Sequence, residues 1–206
     1  MTNGQAIWEE NYNSGIMSNG LTLARSCLMH KNYNSKYSKF KREGDFYTGR
    51  YGINDKPNIL HGQSIGEAVL SPTRQWAIVI KLLIEKLIER NKLECLHGIT
   101  MNTGGGATKI KHIGKNVKYK KLMPMPAPIF ELIQNETDES WKNMYESFNC
   151  GIGIDIIAKE DNGFIEALYE VSEITNINLF VLGKCFRCSK KENEVILTTP
   201  FGEHVY

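Results

Sequence analysis

Apolar positions recur at helical spacing in several stretches of the chain. Leu21, Leu23, Ala24, Cys27 and Leu28 follow Ser18-Asn19-Gly20, and Ser18 or Asn19 can cap the helix they predict. Trp76, Val79, Ile80, Leu83, Ile84 and Leu87 form a longer stripe, with Lys81, Glu85, Lys86 and Glu89 off it. Ser71 as N-cap and Pro72 at the first helical position predict that this helix starts there. Pro128 opens a helix through Ile129, Phe130, Leu132 and Ile133, and Ser140 to Phe148 reads as another, with Trp141, Met144, Tyr145 and Phe148 inward. A last helix runs from Asp161 to Thr175, capped by Asp161 or Asn162.

Between these lie strands. Leu93 to Met101 reads as a buried strand, Val117 to Leu122 as a second and Gly151 to Ala158 as a third. Asn176 to Phe186 and Glu194 to Thr199 read as a pair joined by a polar turn, so the last third of the chain is a βαββ pattern. Two segments have no period. Lys31 to about Lys56 reads as an exposed insertion, and Ser64 to Leu70 as a short connector. The predicted class is α+β, an α/β sandwich with helices packed on a mixed sheet. At 206 residues a single domain with its own core is expected.

Two glycine-bearing loops stand at predicted helix starts. Gly104, Gly105 and Gly106 follow the strand ending at Met101 and precede Thr108, Ile110 and Ile113, which suggest a short helix. Three residues without Cβ let backbone amides converge on an anion, and Thr103 and Thr108 hydroxyls can add donors. A tight strand-to-helix bend that binds nothing is the other reading, and both stay open on these residues alone. The second loop is Ser14-Gly15-Ile16-Met17-Ser18-Asn19-Gly20. Arg74, in the predicted first turn, opposes a helix dipole, so it either meets an anionic partner or snorkels to solvent. His97 reads as a core or edge histidine.

A formal charge of +2 with both signs interspersed makes no electrostatic case for nucleic acid or membrane. A small molecule or another protein is the expected partner, and the absence of a long apolar stretch or signal-like start predicts a cytoplasmic protein. Five cysteines form no disulfide framework. Cys185 and Cys188 make a CxxC, but residues three apart on a strand face opposite ways, so free cysteines are expected rather than a zinc site.

Ser14-Gly15 with Ser18-Asn19-Gly20, Pro72-Thr73-Arg74, Asn102-Thr103-Gly104-Gly105-Gly106, Pro128-Ile129-Phe130 and Phe148-Asn149-Cys150-Gly151-Ile152-Gly153 occur in the order seen in one family. Over nearly its whole length the chain resembles the C-terminal domain of aminoimidazole ribonucleotide synthetase, the phosphoribosylformylglycinamidine cyclo-ligase of purine biosynthesis. Several of these motifs recur in related families such as selenophosphate synthetase. The resemblance implies an AIR synthase C-terminal-like fold over residues 1 to 206, and a dimerising N-terminal ATP-binding domain that this chain does not include. It implies ATP and Mg2+ for the complete enzyme, none for the isolated domain, and no metal ligands here. The reaction implied is ATP-dependent closure of formylglycinamidine ribonucleotide to aminoimidazole ribonucleotide. Ser18, Asn19, Gly20, Thr103, Gly104, Gly105, Gly106, Thr108 and Arg74 are the residues expected to bind phosphate of substrate or ATP.

Two departures qualify this. The family has a His three residues before the triple glycine, where this chain has Met101, and it carries a whole domain upstream. The partner expected is therefore an N-terminal ATP-binding domain or subunit, with a homodimer as a further expectation. The alternative is a non-catalytic ligand-binding or interaction protein of the same superfamily.

Overall fold

The computed structural model describes residues 13–18, 20–36 and 46–206. Elements in chain order are α1 (Leu21–Leu28), α2 (Tyr33–Lys36), α3 (Ile65–Val69), α4 (Trp76–Glu89), β1 (Leu96–Met101), a 3-10 helix (Gly106–His112), β2 (Val117–Leu122), α5 (Pro128–Thr137) and α6 (Trp141–Ser147). They are followed by β3 (Ile154–Ala158), α7 (Asn162–Thr175), β4 (Gly183–Arg187), β5 (Glu194–Thr199) and β6 (Gly202–Val205). Helices with mixed and antiparallel sheets make this an α+β fold.

β1 and β3 form an antiparallel ribbon in which Thr100 faces Asp155 and Met101 faces Ile154. Its period-two alternation divides the interior. Ile154, Ile156 and Ala158 lie against a core made by α4 and α7, where Val79, Leu83 and Leu87 meet Phe164, Ala167 and Val171. Ile157 lies against the second core, which joins Leu28 of α1, Phe130 and Ile133 of α5, Tyr145 of α6, Phe148, and Val195 and Leu197 of β5. Each of these fully buried side chains contributes about 1.5–3 kcal/mol of transfer free energy.

The second sheet has the order β4-β2-β5-β6, with β2 antiparallel to β4 and parallel to β5. The expected pairing of the last two long strands is therefore corrected, since β2 lies between them and β3 belongs to the other ribbon. Asn193 explains the placement: its Oδ1 accepts from the Val117 amide at 2.8 Å, and its Nδ2 donates to the Lys111 and Ile113 carbonyls, pinning the start of β5 beside that of β2. The strand expected from Asn176 is confined to Gly183–Arg187, and β6 was not expected from the pattern.

Four further readings are corrected. The helix expected at Ser71 begins at Trp76, because the Ser71 hydroxyl is engaged elsewhere: it accepts from the distant Ser14 amide and donates to the Glu67 carbonyl of α3. The connector at Ser64 is a helix with a full capping box, Ser64 Oγ accepting from the Glu67 amide and Glu67 accepting from the Ser64 amide. The segment after Lys31 is not simply an exposed insertion, since Tyr51 and Gly49 bridge to Met29 and His30 and Glu136 accepts from Arg50; residues 37–45 lie outside the described residues. The buried strand expected over Leu93 to Met101 is a 3-10 turn and a half-buried strand whose last residue, Met101, is exposed.

Pro128 at the first helical position, Ser140 accepting from the Asn143 amide and Asp161 accepting from the Phe164 amide start three helices as expected. Cys185 is exposed on β4 and Cys188 buried just beyond it, and all five cysteines are free. Among the described residues no helix is long and apolar enough to cross a membrane.

On β5, Glu194 accepts from Lys118 at 2.8 Å and from Lys190. Those two ammonium groups hold its carboxyl at about 2, below its ordinary 4.5. A depressed folded-state value stabilises the fold above the unfolded value, and that stabilisation is lost as pH falls from 4.5 through 2. Glu194→Gln is expected to lower the urea midpoint at pH 7, with the gap to wild type closing by about pH 2; a gap that stays constant across that range would count against the pair.

Candidate functional site at the converging loops

Four loops from distant parts of the chain meet where the sequence motifs lie. Asn13 Nδ2 donates to the Pro72 carbonyl at 3.1 Å, the Ser14 amide to Ser71 Oγ at 2.9 Å, and the Ser18 amide to Thr73 Oγ1 at 3.1 Å. Asn149 Nδ2 donates to the Gly15 carbonyl at 3.1 Å, which ties the first loop to the segment after α6. That segment is tied to the triple-glycine turn in two places. The Asn102 amide donates to the Gly153 carbonyl and Asn102 Nδ2 to the Ile152 carbonyl, both at 2.9 Å, while the Ala107 amide donates to the Phe148 carbonyl at 3.0 Å. Gly153 lies so close to Trp76 that a Cβ there would meet the ring at 1.9 Å. The loop ends are thus locked on the α4 terminus as well.

Within the triple glycine the positions do different jobs. Gly106 opens the 3-10 helix at φ 53°, and a Cβ there would fall 2.5 Å from the Phe148 carbonyl oxygen and 2.6 Å from that of Tyr145. Packing alone demands this glycine. Gly105 sits at φ 95° and is exposed. Gly104 is exposed, has no left-handed φ, and a Cβ there would meet nothing within 4 Å, so the fold of this chain does not require glycine at that position.

The amides are divided in the same way. Thr103 donates to the Met101 carbonyl, Gly106 to Thr103 and Thr108 to Gly105, so these donors are used inside the turn. The Thr108 hydroxyl also donates to the Gly105 carbonyl, at 2.8 Å, and the residue is buried. The Gly104 and Gly105 amides make no hydrogen bond among the described residues and stand exposed.

Of the other expected residues, Ser18 is exposed beside Thr73, and Gly20 occupies the cap position of α1 at φ 70°, with no side-chain cap bond. Ser18 therefore does not cap α1, because glycine makes the left-handed turn itself. Asn19 lies outside the described residues. Arg74 is half-buried in the extended segment before α4, not in its first turn. His97 is exposed on β1.

The sequence reading missed the two asparagines that knit the loops. Asn102 and Asn149 are 0% and 1% exposed, and the amide oxygen of each has no donor among the described residues. A polar residue at the end of a strand or helix, inside a glycine-bearing motif, is the signal that could have found them. Cys150, between Asn149 and Gly151, is buried, and that burial pushes its thiol above the ordinary range, away from the thiolate.

No protein-family model matches the chain. Curated proteins do. It is 32% identical over 172 residues to phosphoribosylformylglycinamidine cyclo-ligase of Methanococcus maripaludis strain C7, covering 83% of this chain and 41% of that protein. The protein of the same name from Methanocaldococcus jannaschii is 31% identical over 83% of the chain and 42% of the relative. That from Geobacter metallireducens is 32% identical over 85% and 44%. The matched region is the C-terminal part of these proteins. The chain is a homologue of the C-terminal part of the cyclo-ligases. It spans less than half the length of the relatives it matches.

Proposed function

We propose that this chain is the C-terminal part of an ATP-dependent cyclo-ligase that converts formylglycinamidine ribonucleotide to aminoimidazole ribonucleotide. In this reading residues 1 to 206 form one domain of the AIR synthase C-terminal type, working in the cytoplasm against an N-terminal ATP-binding domain or subunit. The supporting observation is Gly104. An exposed glycine with open space around it and an unbonded amide is what a turn needs if a ligand must approach its backbone. With Gly105 it offers two amides to one phosphate oxygen set, each bond charge-assisted. Thr103, half-exposed at the start of the turn, and Ser18 and Arg74 at the neighbouring loops are the remaining donors proposed for the phosphate of substrate or ATP. The Thr108 hydroxyl and the Gly106 amide support the turn rather than reach the ligand.

ATP activates the formyl amide oxygen in the complete enzyme. Mg2+ is read as the companion of ATP in the complete enzyme; among the described residues no group of three or more His, Cys, Asp or Glu side chains is placed to hold a metal. Its ligands are assigned to the N-terminal domain, and no step is derived through it. What this chain supplies is a rigid set of donors for a phosphate, which serves orientation and charge stabilisation.

The test is an amide chemical-shift titration with a ribonucleotide monophosphate. The amide resonances of positions 104 and 105 are expected to move at millimolar ligand in wild type and to stay in place in Gly104→Val, which the open surroundings tolerate. Equal movement in both, or none in wild type, means that the turn is only a bend.

A further inference from the structure

The triple-glycine turn rests on a buried ion pair that the reaction proposed above does not itself call for. Lys121 of β2 and Asp155 of β3 have 4% and 5% of their side chains exposed, and Lys121 Nζ lies 2.8 Å from Asp155 Oδ2. The same Nζ donates to the Ala107 carbonyl, also at 2.8 Å. Ala107 directly follows Gly106, and its amide is already committed to Phe148. Both ends of this residue are therefore held from the interior, one by an ammonium group.

Charge taken out of water is costly, and a buried pair is often no more stabilising than apolar residues of the same volume. A stability role alone is a weak reason for its presence. Its layout is asymmetric with respect to the turn: the cation bonds the turn and the anion stands behind it on the ribbon. In a medium of low dielectric the ammonium group acts on the turn that carries Gly104 and Gly105 through the Ala107 carbonyl it bonds. We propose that Lys121 is a positioning residue for the anion site, which fixes the first helical turn through Ala107 and biases it toward negative charge, with Asp155 as its counter-ion. This rests on the phosphate reading of the turn.

Three variants separate this role from a structural one. Lys121→Met leaves a buried carboxylate behind the turn and is expected to weaken inorganic phosphate binding on the order of tenfold. Asp155→Asn keeps the ammonium on Ala107 without its counter-ion, and phosphate binding stays at least as tight as wild type. Both lower the melting temperature. The double variant Lys121→Met/Asp155→Leu removes both charges, recovers much of the melting temperature, and still binds phosphate more weakly than wild type. Affinity read from the Gly104 and Gly105 amides should thus move apart in the single variants while stability falls in both. If affinity follows melting temperature across the three, or changes in none, the proposal is overturned while the phosphate reading stands. If those amides fail to respond to phosphate in wild type, both fall together. Should a single variant not fold, the double variant decides: wild-type affinity in it overturns the proposal.

Discussion

Gly106→Ala is expected to cost about 3 kcal/mol of stability, whereas Gly104→Ala, two residues away, is expected to stay within about 0.5 kcal/mol of wild type. The Cβ of an alanine at 106 would stand 2.5–2.8 Å from three backbone carbonyl oxygens, those of Phe148, Tyr145 and Glu146. None of these is the free end of a side chain, so the C-terminus of α6 or the 3-10 helix must shift. The left-handed φ of 53° adds roughly 1–2 kcal/mol for a residue with a Cβ. That shift would strain the Ala107–Phe148 bond, which links the turn to the rest of the site. At 104 none of these costs arises, because nothing lies within 4 Å and the backbone is not left-handed. Urea unfolding of the two variants checks the contrast. Equal losses would mean that the turn is held differently from the structure described here, and would remove the argument that Gly104 is kept for an approaching ligand.

The second large effect is on turnover. Purified residues 1 to 206 are expected to form no aminoimidazole ribonucleotide from formylglycinamidine ribonucleotide and ATP, and product should appear when the upstream portion of a cyclo-ligase compatible with this chain is supplied. The relatives are more than twice as long as the matched region, and among the described residues no group of three or more His, Cys, Asp or Glu side chains is placed to hold a metal. Two free glycine amides can orient a phosphate, but they do not supply the metal that screens the nucleotide charge. Product measured by mass spectrometry with the chain alone would overturn the division of labour proposed here. Such a result would place ATP chemistry within these 206 residues.

The sequence by itself determined the elements whose signals are local. Helix α5 follows from Pro128 at its first position, α7 from the Asp161 cap and its apolar stripe, and the inner face of α4 from Trp76, Val79, Leu83 and Leu87. The short helix after the triple glycine was also legible, as was the order of motifs that points to the cyclo-ligases. The helix signals among these are complete within one turn or one period, and in this fold no distant partner overrides them. The tertiary structure decided the rest. Ser71 and Pro72 look like a helix start in isolation, yet Ser14 and Asn13 claim their hydrogen-bonding groups from more than fifty residues away. The strand order β4-β2-β5-β6 was not readable, because Asn193 bonds three carbonyls of an earlier loop and no period records that. The three glycines were identical letters in the sequence. Only packing separates Gly106, which the α6 carbonyls require, from Gly104, which nothing in the chain requires, and only the meeting of β2 with β3 reveals Lys121 behind them.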